Sequence, residues 1–304
     1  MELMHFKKGK KMKKTILITL LLTTAIFAKV NIATTYNYLG EVTKAIGGDE
    51  VKVTVLANPK LDPHFITPKP SLIGKLRKED ILIINGGQLE IGWLPPLLKS
   101  ANNSKINVGG SGFLDVSGVI TFIDKPKNVS RAYGDVHPDG NPHFATDIHT
   151  IIPIAKLISM KLSIVNPTHK LTYEANYKSF ASKMEALSKK LDTKYQSCKG
   201  KKVVQYHELF NYALKVYGVK NIGNIEPLPG ITPSSKHTLK IINIIKKQNI
   251  RTILQDVYHE KKTAQFIANK TGATVSIVPH DVGAVEGADT LESFYTMVAQ
   301  RICQ

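Results

Sequence analysis

The chain has 304 residues, 42% of them hydrophobic and 21% charged, a balance that fits one large or two ordinary globular domains and excludes a mostly disordered chain. Its formal charge of +17 comes from 41 Lys+Arg against 24 Asp+Glu, yet only Arg77, Arg131, Arg251 and Arg301 are arginine, and the lysines are spread along the sequence. Without a basic stripe interleaved with aromatics, nucleic acid is excluded as the expected partner.

Residues 1–28 read as a signal peptide. Lys7, Lys8, Lys10, Lys11, Lys13 and Lys14 precede an apolar run from Thr15 to Phe27, closed by the small residue Ala28. The run is shorter than the roughly 20 residues a membrane-spanning helix needs. Translation could begin at Met1 or at Met12, since Met12-Lys13-Lys14 and the apolar run already make a complete signal. Cleavage after Ala28 leaves 35 basic and 23 acidic residues, a net +12. No cysteine lies near that point to carry a lipid. The expectation is a soluble periplasmic protein.

Beyond Ala28 the chain alternates β-rich and helical runs. Val30–Thr34, Val51–Ala57, Ile81–Asn85 and Lys105–Val108 read as buried strands, separated by helices over Leu39–Ile46, Pro70–Arg77 and Leu89–Lys99. Residues 29–165 therefore form an expected α/β lobe with a parallel sheet. Within it, residues 109–142 are rich in Gly, Ser, Asp and Pro and read as a long loop over a cleft. Asn166-Pro167 suits a helix start, and Tyr177, Phe180, Met184, Leu187, Leu191 and Tyr195 recur every three or four positions. Residues 166–197 are thus a linking backbone helix, roughly 45 Å long at ~1.5 Å per residue, which predicts a stiff hinge. Residues 198–304 repeat the pattern as a second α/β lobe. Its strands are Lys202–Tyr206, Asn221–Glu226, Arg251–Gln255 and Ala273–Val278, with helices over Leu209–Val216, Lys236–Lys247, Lys261–Lys270 and Thr290–Arg301. The fold class is two four-stranded parallel sheets flanked by helices and joined by one long helix. Cys198 and Cys303 sit in an oxidising compartment, where a disulfide and two free thiols are both open.

Ligands of open α/β sheets bind beyond the carboxyl ends of the strands. His64 follows the second strand, His207 and His280 follow strands of the second lobe, and His143 is stiffened by the preceding Pro142. Four imidazoles from four separate segments suit a closed divalent-metal site. His137, His149, His169, His237 and His259 read as surface or capping residues, with His137 the best placed of them. His207-Glu208 opens a zincin-like helix, but Asn211 stands where the second histidine would have to be. Asp135, Asp139 and Asp147 lack the spacing of a calcium loop.

Asp62-Pro63-His64 with Pro68, Asn85-Gly86 leading to Glu90 and Trp93, Asn141-Pro142-His143, Tyr206-His207 with Tyr212, and Gly287-Ala288-Asp289-Thr290 occur in order. Together they resemble the zinc/manganese solute-binding proteins of ABC importers, whose two lobes share a rigid helical backbone. The resemblance runs from about Val30 to Val298. It implies a periplasmic protein, expected to be a monomer, that captures zinc and passes it to an inner-membrane permease with its ATPase. It places three metal ligands on His64, His143 and His207. The family's fourth ligand is usually an aspartate three residues before a glycine, and counting back from Gly283 gives His280, with Asp281 beside it as the alternative. Histidine ligands favour Zn²⁺ over Mn²⁺, which prefers oxygen. A closed tetrahedral site implies no catalysis. The competing readings are a periplasmic zinc hydrolase with Asp281 or Glu208 as general base, and a metal-binding adhesin on the same fold. Because an imidazole binds metal only when neutral, affinity is expected to fall below about pH 6.5.

Overall fold

The structure is a computed structural model describing residues 29–126 and 137–304. The expected signal peptide, and Asp135 of the expected cleft loop, lie outside the described residues. Two four-stranded sheets, all parallel, form the framework. The first has the order β2-β1-β3-β4, from β1 (Val30–Thr34), β2 (Val51–Val55), β3 (Ile81–Ile84) and β4 (Phe113–Asp115). The second repeats that order as β6-β5-β7-β8, from β5 (Lys202–Gln205), β6 (Lys220–Asn224), β7 (Thr252–Gln255) and β8 (Thr274–Ile277). In each sheet the chain moves first to one side of the opening strand and then to the other. The crevice beyond the strand ends therefore lies at β1/β3 and at β5/β7, the position where such sheets bind ligands.

The first sheet is flanked by α1 (Asn37–Gly47), α2 (Pro70–Leu76), α3 (Leu94–Ala101) and α4 (Ile151–Val165), and the second by α6 (Asn211–Val216), α7 (Ser235–Gln248), α8 (Lys261–Thr271) and α9 (Leu291–Ile302). Between them runs α5, Lys170–Lys194. Its 25 residues make about 37 Å. Tyr173, Phe180, Met184, Leu187 and Leu191 are its buried stripe, and it packs on α1 and α4 of the first lobe and α9 of the second. One hydrophobic cluster consequently contains Ile32 and Ile83 of the first sheet together with Val203 and Leu254 of the second. α4 is apolar enough over its length to pass for a membrane span, but it buries Ile151, Ile154, Ala155, Ile158 and Leu162 in this core.

Three local expectations change. Lys105–Val108 is not the fourth strand: Asn103 accepts the N–H of Lys105 and starts a short helical turn at Ser104–Ile106, leaving Val108 exposed. The strand is Phe113–Asp115, inside the stretch expected to be loop, with Leu82 opposite Phe113 and Ile83 opposite Leu114. At three residues it is too short to display an alternating pattern. The helix expected from Leu89 begins at Leu94, because Glu90 turns back to accept the N–H groups of Asn85 and Gly86. The long helix begins at Lys170. Asn166 caps nothing with its side chain and instead donates to the Tyr173 hydroxyl, while Pro167–His169 form a separate short turn.

Cys198 and Cys303 form a disulfide, with Cα atoms 5.3 Å apart and a sequence separation of 105. The bridge ties the end of α9 to the turn that follows α5. Replacing both cysteines with alanine is expected to lower the unfolding free energy by about 2–5 kcal/mol, the usual range for a bridge closing a long loop. A lower urea midpoint with unchanged far-ultraviolet circular dichroism is the signature to look for.

Candidate metal centre

Separate segments of both lobes bring histidines to the crevice. His64 stands in the turn between β2 and α2, whose Asp62 accepts both the His64 backbone N–H, at 2.9 Å, and its Nδ1, at 2.8 Å. Pro63 is fixed from above, its carbonyl accepting the Tyr36 hydroxyl and the Trp93 indole N–H. His143 precedes α4 in a turn held by Asn141, whose side chain accepts the His143 N–H and donates to the Glu208 carbonyl. His207 ends β5, and its Nδ1 lies 2.6 Å from the buried carboxylate of Glu226, just past β6. His280 follows β8 with its ring edge-on to Tyr258.

Three of these side chains converge. The His64 ring centre is 5.0 Å from that of His143 and 5.6 Å from that of His207, and His143 and His207 are 5.3 Å apart. All are buried. With Nδ1 donated to a carboxylate, His64 and His207 each turn an Nε2 lone pair inward, the carboxylate–histidine arrangement that orients metal ligands. The Nε2 atoms of His143 and His207 are 3.3 Å apart. Two nitrogens each ~2.05 Å from one tetrahedral zinc would be separated by about 3.3 Å. Nε2 of His64, Nε2 of His137 and Nδ1 of His280 are buried with no hydrogen-bond partner among the described residues. Buried polar atoms rarely stay unpaired, so the cluster is a set of donors arranged for a ligand.

His137, expected on the surface, joins this cluster. It stacks on His64 at 5.3 Å between ring centres, and ligand nitrogens of His64, His137 and His143 all lie within 4.8 Å of one another. The proline after it was the only local signal, since its approach to His64 is made across the fold. His259 also leaves its expected surface role. It hydrogen-bonds Asp256 through Nδ1 at 2.7 Å, stacks on Tyr206 and lies 3.8 Å from the Glu226 carboxylate, behind His207. Of the remaining histidines, His149 and His237 stay outside the cluster. His149 bonds Asp147 and Ser188, and His237 bonds the Asn224 carbonyl. His169 lies 3.3 Å from the Glu50 carboxylate.

Asp281 is buried, and its two oxygens are engaged by backbone donors. Its oxygens accept the backbone N–H groups of Asn37 and Tyr38, at 2.9 and 2.8 Å, and that of Val282 at 2.8 Å. The first two open α1, so a second-lobe carboxylate caps a first-lobe helix where its dipole is positive. The Asn37 side chain adds a bond to the Val282 carbonyl. Glu208, the other expected base, accepts from the Asn224 side chain at 2.8 Å and borders the cavity of about 180 Å³ that opens onto His137, His143 and His207.

Burial sets the charge state. It pushes the His143 imidazole well below its ordinary value, aided by the neighbouring His64 and His207. It pushes His280 down to about 4 and His137 to about 3. These rings are neutral at pH 7 and stay neutral well below pH 6.5, so proton competition at them starts lower than ordinary histidines suggest. His149 is raised instead, by its hydrogen bond to Asp147.

The family model of the periplasmic zinc-uptake complex component A, ZnuA, matches residues 32–304. The zinc-binding lipoprotein AdcA of Streptococcus pneumoniae serotype 4 is 26% identical over 245 residues, which cover 79% of this chain and 47% of that protein. The chain thus spans about half the length of that relative. The high-affinity zinc uptake system protein ZnuA of Bacillus subtilis is 25% identical over 256 residues, covering 82% of this chain and 78% of its own. A crystal structure of ZnuA matches with a TM-score of 0.76 at 24% identity, over 90% of this chain and 98% of that one. The nickel complex of FpvC from Pseudomonas aeruginosa matches with a TM-score of 0.73 at 18% identity, over 90% and 97%. At these identities the likeness to the solved structures is one of fold.

In the metal-free protein at pH 5.5, imidazole ¹⁵N spectra are expected to show His137 and His280 as neutral tautomers, while His149 carries a proton on both nitrogens. Protonation of His280 in step with His149 would contradict its burial.

Proposed function

Because this chain belongs to the family of the periplasmic zinc-uptake complex component A, we propose that it captures a divalent metal ion, zinc before others, outside the cytoplasm and delivers it to an ABC importer permease driven by its ATPase. The observation that carries this reading is the 3.3 Å separation of two inward Nε2 atoms, beside a His64 Nε2 that lacks a partner. Zinc is the cargo this donor set suits. Imidazole favours it, whereas manganese prefers oxygen and sits lowest in the divalent affinity series.

His64, His143, His207 and His280 take the ion in this reading. His280 is preferred to Asp281 because both Asp281 oxygens are engaged by N–H donors, whereas His280 Nδ1 has no partner among the described residues. His280 is preferred to His137 because its loop is pinned to α1 by the bond from the Asn37 side chain to the Val282 carbonyl. Asp62 and Glu226 hold the tautomers of His64 and His207. Four protein nitrogens close a tetrahedral site and leave no position for an activated water, so the reading is capture without catalysis.

The organisation follows: a leader over residues 1–28, lobes over 29–165 and 198–304, and a backbone segment over 166–197 that keeps them at a fixed spacing. The mature protein is a soluble periplasmic monomer beginning at Lys29, whereas the pneumococcal relative is named a lipoprotein.

Competition titration is expected to give tighter binding of Zn²⁺ than of Mn²⁺, and the reverse order overturns the zinc assignment. Zinc at about 100 times its dissociation constant should add ~2.7 kcal/mol to the unfolding free energy. Among variants, His280→Ala should weaken zinc by about a hundredfold or more, with Asp281→Asn and His137→Ala each staying within about tenfold. Equal losses in His280→Ala and Asp281→Asn would return the fourth position to the carboxylate. Removing the carboxylate outright in Asp281→Ala leaves two α1 N–H groups unpaired and should cost the metal-free protein about 1–3 kcal/mol.

A further inference from the structure

Seven of the lysines that look scattered in sequence lie on one face of the second lobe. Alternate residues of its central strands point to opposite sides of the sheet: Val203 and Leu254 enter the core shared with the first lobe, while Val204 and Ile253 enter a separate cluster covered by α7 and α8. Those two helices pack on each other and on β6, β7 and β8. They are the outer layer of the lobe, on the side away from α6 and α9.

Facing out from this layer are Lys236, Lys240, Lys246 and Lys247 of α7 and Lys261, Lys262 and Lys270 of α8, all exposed. Neither helix contains Asp or Glu. Among the described residues, none of these seven lysines is ion-paired, in contrast to Lys170 and Lys183 of α5, which lie near Glu174 and Glu292. Two large apolar side chains stand among them, Leu239 at 58% exposure and Phe266 at 48%. Lys236, Leu239, Lys240, Asn243, Ile244 and Lys247 line a shallow groove of about 610 Å³. Lys270 lies over the Phe266 ring at 5.7 Å. α7 is about 21 Å long and α8 about 16 Å, so the charges share a patch roughly 20 Å across.

We propose that the α7/α8 face adsorbs the protein to an anionic phospholipid surface, its lysines meeting the headgroups and Leu239 and Phe266 entering the interface. A helical face of lysines with exposed Leu and Phe, whose one adjoining acid is the α8 cap Glu260, is the composition that binds at such interfaces. Adsorption would confine the protein to the plane of the membrane. It does not depend on the metal reading, because no residue of the patch belongs to the histidine cluster.

The test is flotation of the mature chain with protein-free vesicles of phosphatidylcholine alone or with about 30% phosphatidylglycerol, at about 50 mM salt. Binding is expected only to the anionic vesicles and should be lost near 0.5 M salt, where screening reaches a few ångströms. The triple variant Lys240→Gln, Lys247→Gln, Lys270→Gln should lower the partition coefficient by about a hundredfold, each charge contributing roughly fivefold. A control of equal net charge, Lys178→Gln, Lys189→Gln, Lys190→Gln on α5, should stay within about threefold. Equal losses in the two variants, or no flotation of the unaltered chain, overturn the proposal. Binding to native membranes but not to protein-free vesicles would assign the face to an acidic protein and overturn it as well. Zinc titration of both variants checks that each is folded.

Discussion

An imidazole taken out of water has two nitrogens to satisfy, and the cleft is organised by how few of those here find a partner. His64 and His207 each give one nitrogen to a carboxylate, Asp62 and Glu226, which fixes the ring and leaves the other lone pair facing in. Burial keeps His143, His137 and His280 neutral, so the rings crowd together without the repulsion that charge would bring. In the proposed function a cation supplies what these nitrogens lack. The same burial that makes the metal-free cluster costly makes it ready for an ion, since no proton has to leave those three rings at neutral pH.

Such a cluster needs a frame that holds its parts within a few tenths of an ångström, and those parts come from both lobes. α5 packs on α1, α4 and α9, and one hydrophobic cluster draws side chains from both sheets. Asp281 adds a bond of another kind, a carboxylate of one lobe seated on the first N–H groups of a helix in the other. It stands next to His280, so the capping interaction that joins the lobes also anchors the loop bearing that imidazole. The disulfide closes the far end of the second lobe against the turn after α5. Together these contacts favour a stiff pair of lobes over a wide swing.

Much of this was legible in the chain. Ile81–Ile84 is an unbroken apolar stretch, as a strand buried on both faces must be, and the stripe of α5 repeats at helical spacing. His64, His143, His207 and His280 stood out because they follow strands or a stiffening proline. What failed was local. Phe113–Asp115 is too short to show a period, and Lys105–Val108 reads as a strand although Asn103 bends it into a turn. His137 and His259 were read as surface because their partners, His64 in one case and Glu226 and Asp256 in the other, are set by the packing of separate segments.

The sequence by itself determined the architecture, a two-lobe α/β protein with histidines following several of its strands, because periodicity and chain order are properties of neighbouring residues. Tertiary structure alone decided which nitrogens meet, that Asp281 caps α1, that Cys198 reaches Cys303, and that seven unpaired lysines share one face. Those outcomes depend on distances between residues far apart in the chain, and such distances exist only once the two sheets and the long helix have packed.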